Sequence, residues 1–490
     1  MNDLLSVAGL LIPPSPRFDL AAYFHNYPLR DYQHRMLLEA ANLMAQGYRR
    51  ILIQAPTGAG KTVMARALMG SGVSVGWTSE FLVHRKELIR QTSESFTKGS
   101  LEHGFVATGF PFTPDVGVTL AGIQTLVNRL DLLMPPNLAV VDECHHATSN
   151  TWRQVLDSYG DAHIIGLTAT PERLDGTGLN EQFDAMVVGP SVRELIDRGF
   201  LSPFVFYGPS VPDMSNVPVS NGDFVRSAVD EIVDKPKVIG SVVEHYLKLA
   251  KGQQGLIFGN SRKHSRHLAE TFTGEGIPAM HVDGSMSAEE RNRFDAAFRA
   301  GDILLGCNPE LFSEGYDVPN VSYLGDAGPS RSEIKVRQRW GRPLRIGGAA
   351  VATIADHAGN WKRINSLPDS DRQWSLEGTK SRKKSAVPDH TPVTQCKACF
   401  RVYPSAARVC PGCASETPAQ PRIVREEAGT LTKVEREELR KAAEVRRKAE
   451  EKECLSFKQF LSLGQARGYG NPRGWAKIQC RLRRIPVPPS

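Results

Sequence analysis

The chain has 490 residues, 41% of them hydrophobic and 23% charged, ordinary proportions for a soluble globular protein of about three or four domains. Its formal net charge of +7 suits a nucleic-acid partner without requiring one. No apolar run approaches the ~20 residues of a membrane span, which argues against a membrane partner, and the eight cysteines are too few and too unevenly spread for a disulfide scaffold.

Residues 1–28 read as an N-terminal extension, apolar and then turn-rich. Its run Leu4-Leu5-Ser6-Val7-Ala8-Gly9-Leu10-Leu11-Ile12 is short, lacks a basic leader and stops at Pro13-Pro14, so a signal peptide is not expected. From 29 to 204, strand-like runs at 50–54, 73–78, 118–121, 138–141 and 164–167 alternate with helical patterns, the βαβ signature of a parallel sheet. After the first run comes Ala55-Pro56-Thr57-Gly58-Ala59-Gly60-Lys61-Thr62, then a helical pattern. A strand, a Gly-rich loop and a helix in that order form a phosphate cradle. Backbone N–H groups of Gly58, Gly60 and the helix N-terminus point at the phosphates. Lys61 reaches the β/γ-phosphates, and the Thr62 hydroxyl suits Mg²⁺. Ala55 stands where the usual pattern has Gly. The run at 138–141 leads into Asp142-Glu143, and a carboxylate at the C-terminal end of a parallel strand faces the ligand crevice. Asp142 is placed for Mg²⁺ and Glu143 for the attacking water. The two segments together predict binding and hydrolysis of a nucleoside triphosphate; the plainer alternative is a capping loop and two solvated carboxylates.

Residues 208–222 are turn-rich and suggest a linker. A second alternation follows, with strand-like runs at 255–258, 279–282, 303–306, 321–324 and 350–354 and no phosphate loop of its own. Residues 376–391 look like a further linker. Within 392–418, Cys396-x-x-Cys399 and Cys410-x-x-Cys413 flank ten residues, the spacing of a zinc ribbon. Four thiolates suit tetrahedral Zn²⁺ and leave no open position, so a structural metal in a reducing, cytoplasmic compartment is expected. Lys397, Arg401 and Arg408 leave contact of the ribbon with DNA open. Cys144, Cys307, Cys454 and Cys480 read as buried or free thiols. Residues 430–453 are a charge-dense helical pattern, and 454–490 a small basic C-terminal unit. In that unit Tyr469 and Trp475, among Arg467, Arg473, Lys477, Arg481, Arg483 and Arg484, suit either base stacking with backbone contact or a small helical core.

Over about 29–365 this combination resembles the superfamily 2 helicases and translocases, the DEAD/DEAH-box type. The resemblance implies an α/β fold: two tandem RecA-like parallel-sheet domains, 29–204 for ATP binding and 205–375 as the helicase C-terminal domain. The zinc ribbon and the small helical C-terminal unit follow. It implies that Leu29-Arg30-Asp31-Tyr32-Gln33 recognises adenine, with Gln33 on the base edge and Arg30 stacked on the ring. Gly166-Leu167-Thr168-Ala169-Thr170-Pro171 resembles the third motif, whose hydroxyls link the carboxylates to the second lobe. Glu314-Gly315-Tyr316-Asp317-Val318-Pro319 resembles the fifth, with Asp317 on the ribose and Gly315 allowing close backbone approach. Gln338-Arg339-Trp340-Gly341-Arg342-Pro343-Leu344-Arg345 resembles the sixth. There Gln338, Arg342 and Arg345 join Lys61, Asp142 and Glu143 as catalytic residues, the two arginines on one helix face. An arginine reaching the γ-phosphate is worth on the order of 10³–10⁵ in rate. With the loop in one lobe and the arginines in the other, hydrolysis needs cleft closure.

In this superfamily one nucleic-acid strand crosses both lobes, held by its backbone. That implies contacts from His84, Arg85, Gln124, Thr125, Asn260, Ser261, Gly284 and Asn308, each just after a strand-like run and none suited to reading bases. Asp-Glu-Cys-His-His at 142–146, with Leu-Arg-x-Tyr-Gln, resembles the restriction-subunit-like DNA translocases and the RadD-type bacterial helicases. Ile354-Ala355-Asp356-His357-Ala358-Gly359-Asn360 and Trp374-Ser375-Leu376-Glu377-Gly378 are similar to the stretch after the sixth motif in RadD-like and prophage-encoded helicases. The implied function is an ATP-dependent DNA helicase or translocase using ATP, Mg²⁺ and Zn²⁺, acting on single-stranded or branched DNA in repair, recombination or phage replication. An RNA helicase and a zinc-stabilised DNA-binding adaptor with an ATP-switched clamp stay open.

Overall fold

Short runs of branched and aromatic residues, buried on both faces, build two parallel sheets. In the computed structural model the described residues are 20–490 except 115, 174–175, 221, 311, 313–319, 371, 379–391, 417–449, 452–453, 468–470, 484 and 488–490. The first sheet holds β1 (Arg50–Gln54), β2 (Ser79–Val83), β3 (Gly104–Val106), β4 (Val118–Gly122), β5 (Leu138–Asp142), β6 (His163–Thr168) and β7 (Ala185–Val188), in the order β3-β4-β2-β5-β6-β1-β7. Ile51, Leu52 and Ile53 of β1 are fully buried, each contributing roughly 2 kcal/mol by removal from water. β1 and β5 are separated only by β6. The phosphate loop, Thr168-Ala169-Thr170 and Asp142-Glu143 therefore emerge side by side at one edge of the crevice.

The second sheet is built from β8 (Phe204–Tyr207) and, after a small hairpin of β9 (Val219–Ser220) and β10 (Asp223–Phe224), from β11 (Gly255–Phe258), β12 (Ala279–His281), β13 (Leu305–Asn308), β14 (Tyr323–Asp326) and β15 (Ala352–Asp356). Its order is β12-β13-β11-β14-β15-β8, all pairs parallel. Two tandem RecA-like α/β lobes are thus present.

Three expectations need correcting. The run at 73–78 is not a strand: the helix Lys61–Ser74 continues through Val73, Gly76 turns at φ +82°, and β2 starts at Ser79. The apolar signal there belongs to the helix's last turn, whereas β2 opens on buried Ser79-Glu80, with Tyr159 donating a hydrogen bond to Glu80. In the second lobe, β13, β14 and β15 run two residues beyond their apolar runs and end on Asn308, Asp326 and Asp356, all at 0% exposure. Hydrogen bonding, which an apolar pattern does not register, keeps those strand ends inside. Residues 208–222 are not a bare linker: Met214 and Val217 pack with Val229 and Val233 of the helix Arg226–Val233.

After the second sheet the chain returns to the first lobe. Arg372 bridges Glu172 at 2.7 Å and Glu333 at 2.8 Å, and Leu179 N–H donates to Leu376 O at 2.7 Å. β16 (Val393–Gln395) and β17 (Val402–Pro404) form an antiparallel hairpin lying on β8. Gly208 N–H donates to Phe400 O at 3.0 Å, Tyr207 bridges Arg401, and Val402 joins the central core. The hairpin thereby covers an otherwise open sheet edge.

The unit formed by residues 420–490 contains the helices Phe457–Ala466 and Pro472–Leu482. Trp475 packs edge-on against buried Phe460 at 5.9 Å, so it belongs to a small helical core. Tyr469 and nearly all of the charged pattern at 430–453 lie outside the described residues. Among the described residues no helix is long and apolar enough to cross a membrane.

A two-lobe nucleotide cleft as the candidate active site

The phosphate loop depends on two glycines. Gly58 and Gly60 have φ of +84° and +80°, a region that strains any other residue. A Cβ on Gly60 would lie 2.4 Å from Gln33 Nε2, and one on Gly58 2.8 Å from Leu201 Cδ2. Gly60 caps the helix Lys61–Ser74, so Lys61 and Thr62 stand at its N-terminus with their N–H groups facing the crevice. Ala55 fits the place of the usual glycine because it is fully buried at the end of β1, its N–H bonded to Thr168 O at 2.9 Å. Gln33, expected on the adenine edge, is 3% exposed and uses its amide within the protein. Its Nε2 donates to Ala59 O at 2.8 Å, and its Oε1 accepts from Arg30 N–H at 2.9 Å. Tyr32 Oη donates to the same Ala59 O at 2.9 Å. These bonds brace the loop. Arg30, 4.6 Å over the half-buried Phe200 ring, lines the cavity mouth. Sequence reasoning missed Phe200, a single aromatic after Gly199 with no motif around it.

Glu143 sits at φ +48°, a strained position for a residue with a side chain, at the start of a tight turn over Cys144–His146. It is 7% exposed, and among the described residues its Oε2 has no hydrogen-bond partner, with His145 Nδ1 3.4 Å away. His145 Nδ1 also lies 3.2 Å from Thr168 Oγ1, which ties the turn to the end of β6. A buried carboxylate oxygen with an empty acceptor site suits a water molecule.

The arginines come from the other lobe. The helix Glu333–Trp340 stops before them, contrary to the expectation that both lie on one helical face. Pro343 accounts for the stop, because a proline disfavours helical geometry at the preceding residue, Arg342. Arg342 and Arg345 nevertheless line one cavity of about 390 Å³ with Gly58, Lys61, Thr62, Asp142 and Glu143. That volume falls in the range of small-molecule sites, roughly 300–1,000 Å³. A Cβ on Gly341 would come within 2.9 Å of Thr57 Cβ, so the two lobes touch here. Gln338 does not line this cavity. It faces a smaller one of about 110 Å³ beside Thr170 and Trp374, and among the described residues neither amide atom is hydrogen-bonded. Gly315 and Asp317 lie outside the described residues.

A family model described as the res subunit of type III restriction enzymes matches residues 26–173, and the helicase conserved C-terminal domain matches 236–347. A 51.5 kDa protein of Lactococcus phage (isolate 7-9) is 32% identical over 362 residues, which span 74% of this chain and 77% of that protein. The chain is a restriction-subunit-like helicase of superfamily 2. It is accordingly an ATP-hydrolysing enzyme of the helicase type. A Saccharomyces cerevisiae protein provisionally named as the ATP-dependent helicase IRC3 is 28% identical over 343 residues, 65% of this chain and 49% of that one, so the chain spans about half its length. A solved fragment assigned as an HsdR subunit of a type I restriction enzyme from Vibrio vulnificus YJ016 shares the fold, with a TM-score of 0.57 at 20% identity over 72% of this chain and 68% of that one.

The helicase's suggested nucleic-acid residues fall into two groups. His84-Arg85 and Gln124-Thr125 follow the adjacent strands β2 and β4; Asn260-Ser261, Gly284 and Asn308 stand at the ends of neighbouring β11, β12 and β13. Gln124 and Gly284 are exposed. Asn308 is fully buried, accepting from Phe312 N–H at 3.2 Å, and Asn260 donates to Arg226 O at 2.8 Å and Asp230 Oδ1 at 2.7 Å. Both asparagines therefore brace loops from inside. Ser261 caps the helix Arg262–Gly274, and Thr125 Oγ1 accepts from Thr108 N–H at 3.2 Å. Thr108, absent from the sequence motifs, thus belongs to the same edge.

The four ribbon thiols converge. Cys396 Sγ and Cys413 Sγ are 3.5 Å apart, Cys399 Sγ and Cys410 Sγ 3.6 Å, and all four lie within 4.8 Å of one another. A disulfide needs about 2.05 Å; a tetrahedral metal with ~2.3 Å bonds to sulfur separates the sulfurs by about 3.8 Å. Phe400 and Ala414, each directly after a Cys-x-x-Cys pair, share left-handed φ values of +60° and +57°, so the two knuckles turn alike.

Proposed function

We propose that this helicase couples ATP hydrolysis to movement along, or remodelling of, DNA, preferring single-stranded or branched forms, in repair, recombination or phage replication. The observation that carries the reading is the single cavity walled by the phosphate loop and Asp142-Glu143 from one lobe and by Arg342 and Arg345 from the other. We take 29–204 and 205–375 as the moving lobes, with 392–418 as a ribbon carried by the second.

In this reading Lys61 and the loop N–H groups bind the phosphates, and Thr62 and Asp142 hold Mg²⁺, which neutralises phosphate charge when bound. Glu143 orients the water and takes its proton. Arg342 and Arg345 meet charge that develops only as the terminal phosphoryl leaves, so they act on rate more than on affinity. Arg30 and Phe200 offer a cationic and an aromatic face at the adenine end. Contacts between the lobes differ in strength: Arg372–Glu172 and Arg291–Glu87 are largely buried ion pairs, whereas another is exposed and weak. Arg90 reaches Asp295 at 3.3 Å and Asn292 Oδ1 at 2.8 Å with its side chain 42% exposed, and such pairs contribute about 0.2–1 kcal/mol. In this reading ATP binding closes the lobes and product release reopens them at the exposed contacts, while the buried pairs keep the lobes tethered. His84, Arg85, Gln124, Thr125, Ser261 and Gly284 are the proposed backbone contacts to the strand. Cys396, Cys399, Cys410 and Cys413 hold one Zn²⁺, whose four-thiolate shell has no open position and serves structure.

ATPase activity measured with single-stranded, duplex and branched DNA and with RNA, alongside strand displacement, tests this. The expected result is strongest stimulation by single-stranded or branched DNA. Stimulation by RNA above every DNA would replace the reading with an RNA helicase, and stimulation by none would refute nucleic-acid coupling.

A further inference from the structure

The stretch Asp356-His357-Ala358-Gly359-Asn360 has no place in the nucleotide cavity, yet its last residue is fully buried and fully engaged. Asn360 Nδ2 donates to Asp326 Oδ2 at 2.9 Å and Gly328 O at 3.2 Å. Its Oδ1 accepts from Ser330 N–H at 3.0 Å and Arg363 Nη2 at 2.7 Å. Asp326, also at 0% exposure, accepts two further bonds from successive residues of one helix: Arg339 Nη1 at 3.0 Å and Trp340 Nε1 at 3.1 Å. Arg339 Nη1 donates to Gly328 O as well, at 2.8 Å. The backbone then carries the connection onward, since Arg342 N–H donates to Arg339 O at 3.0 Å.

We propose that Asn360 and Asp326 are positioning residues for the arginine pair, holding the end of the helix Glu333–Trp340 at the one rotation and height that sends Arg342 and Arg345 into the ATP cavity. Two donors at adjacent helix positions on a single carboxylate fix both the turn of the helix about its axis and its distance from β14. Neither bond alone does so. Asn360 sets the carboxylate itself, because its amide bridges Asp326 and Gly328 while its oxygen pins the following loop at Ser330. The bends that bring Asn360 there are built in: Asp356 accepts from Ala358 N–H at 3.0 Å and Trp361 N–H at 2.6 Å, and Gly359 turns at φ +67°. A Cβ at Gly359 would meet Val211 Cγ1 at 2.9 Å. The helix ends at Trp340, so the arginines sit on the turn that follows, tied to the helix end by the Arg342 N–H to Arg339 O bond and to the loop before β8 by Ser202 N–H to Leu344 O at 2.8 Å; the rotation of the helix end sets where that turn begins. A displacement of about 1 Å at a reacting group costs on the order of 10²-fold in rate.

The inference rests on Arg342 and Arg345 acting in the transition state. Steady-state ATPase of the full chain is measured for Asn360→Ala and for Trp340→Phe, which keeps the bulk and removes one donor to Asp326. Each is made in the wild-type background and with Arg342→Ala and Arg345→Ala combined. Expected for Asn360→Ala is a 10- to 100-fold fall in kcat with KM for ATP within about threefold, and for Trp340→Phe a smaller fall of the same kind. In the double-arginine background both effects should shrink below about twofold, since there is nothing left to position. If Asn360→Ala does not fold, Trp340→Phe carries the same comparison. An equal fall in both backgrounds, or unchanged kcat in the wild-type background, overturns the positioning role. Normal turnover of the double-arginine variant instead overturns the reading of the arginines, which separates the two failures.

Discussion

Both lobes are parallel sheets, yet their strand ends are used in opposite ways. In the first lobe the crevice is left open for a ligand: the ends of β1 and β5 border a cavity of about 390 Å³. There, among the described residues, the Lys61 ammonium has only a long 3.4 Å bond to Ala55 O and Glu143 Oε2 lacks a hydrogen bond. In the second lobe the corresponding ends are filled by the protein's own groups. Asn308, Asp326 and Asp356 are fully buried and bonded. Asp283 is pulled down to about 2: burial pushes it up, but the Ser285 hydroxyl and N–H, His281 and Arg262 outweigh that. One lobe is arranged to receive charge, the other to tie its buried polar groups to one another and present two arginines to its neighbour.

The largest expected effect breaks the open site itself. Lys61→Ala and Glu143→Gln should each lower turnover by about 10³-fold or more but part company in equilibrium nucleotide binding. Lys61→Ala weakens it, whereas Glu143→Gln, which loses only the base, retains ATP. Wild-type hydrolysis by Glu143→Gln would refute the assignment of the base. Next, Arg342→Ala and Arg345→Ala should each cut kcat by about 10³-fold with little change in ATP affinity. A rise in KM with kcat intact would make the second lobe a binding surface only.

A smaller effect contrasts buried carboxylates. Glu80 on β2 is 7% exposed, and burial pushes it up to about 7 despite the hydrogen bond from Tyr159. Its folded pKa lies above the unfolded value, so the stability it contributes is complete below about pH 4.5 and is lost as pH rises through about 7. The loss amounts to at most about 3 kcal/mol. Glu80→Gln keeps an acceptor for Tyr159 and cannot ionise, so denaturant unfolding from pH 4.5 to 8 should lose that slope. The same slope in the variant would assign it elsewhere.

The smallest effect concerns the ribbon. Metal analysis should find one zinc per chain, and Cys396→Ser with Cys410→Ser, or a chelator, should remove it. Basal ATPase should persist, since no ribbon residue lines the ATP cavity. Val402 lies in the central core and Phe400 pairs with Gly208, so loosening the ribbon should also cost the second lobe about 2 kcal/mol. A zinc-free wild type would refute the metal site, and a folded double variant without basal ATPase would refute its purely structural role.

The sequence by itself determined the features whose chemistry is local in the chain. The loop at 55–62 needs left-handed glycines at fixed offsets, Asp142-Glu143 needs only the end of a buried run, and the ribbon needs two pairs of cysteines; each is visible because its signal lies within a few consecutive residues. The tertiary structure alone decided what depends on partners far away in sequence. It brought Phe200 beside Arg30, turned Gln33 onto Ala59, and set Arg342 and Arg345, carried beyond their helix, opposite Lys61. It also buried Asn260 and Asn308 and laid the ribbon on β8. A polar side chain reads the same in sequence whether it faces a ligand or braces a loop. Only packing, by supplying or withholding its hydrogen-bond partners, separates the two.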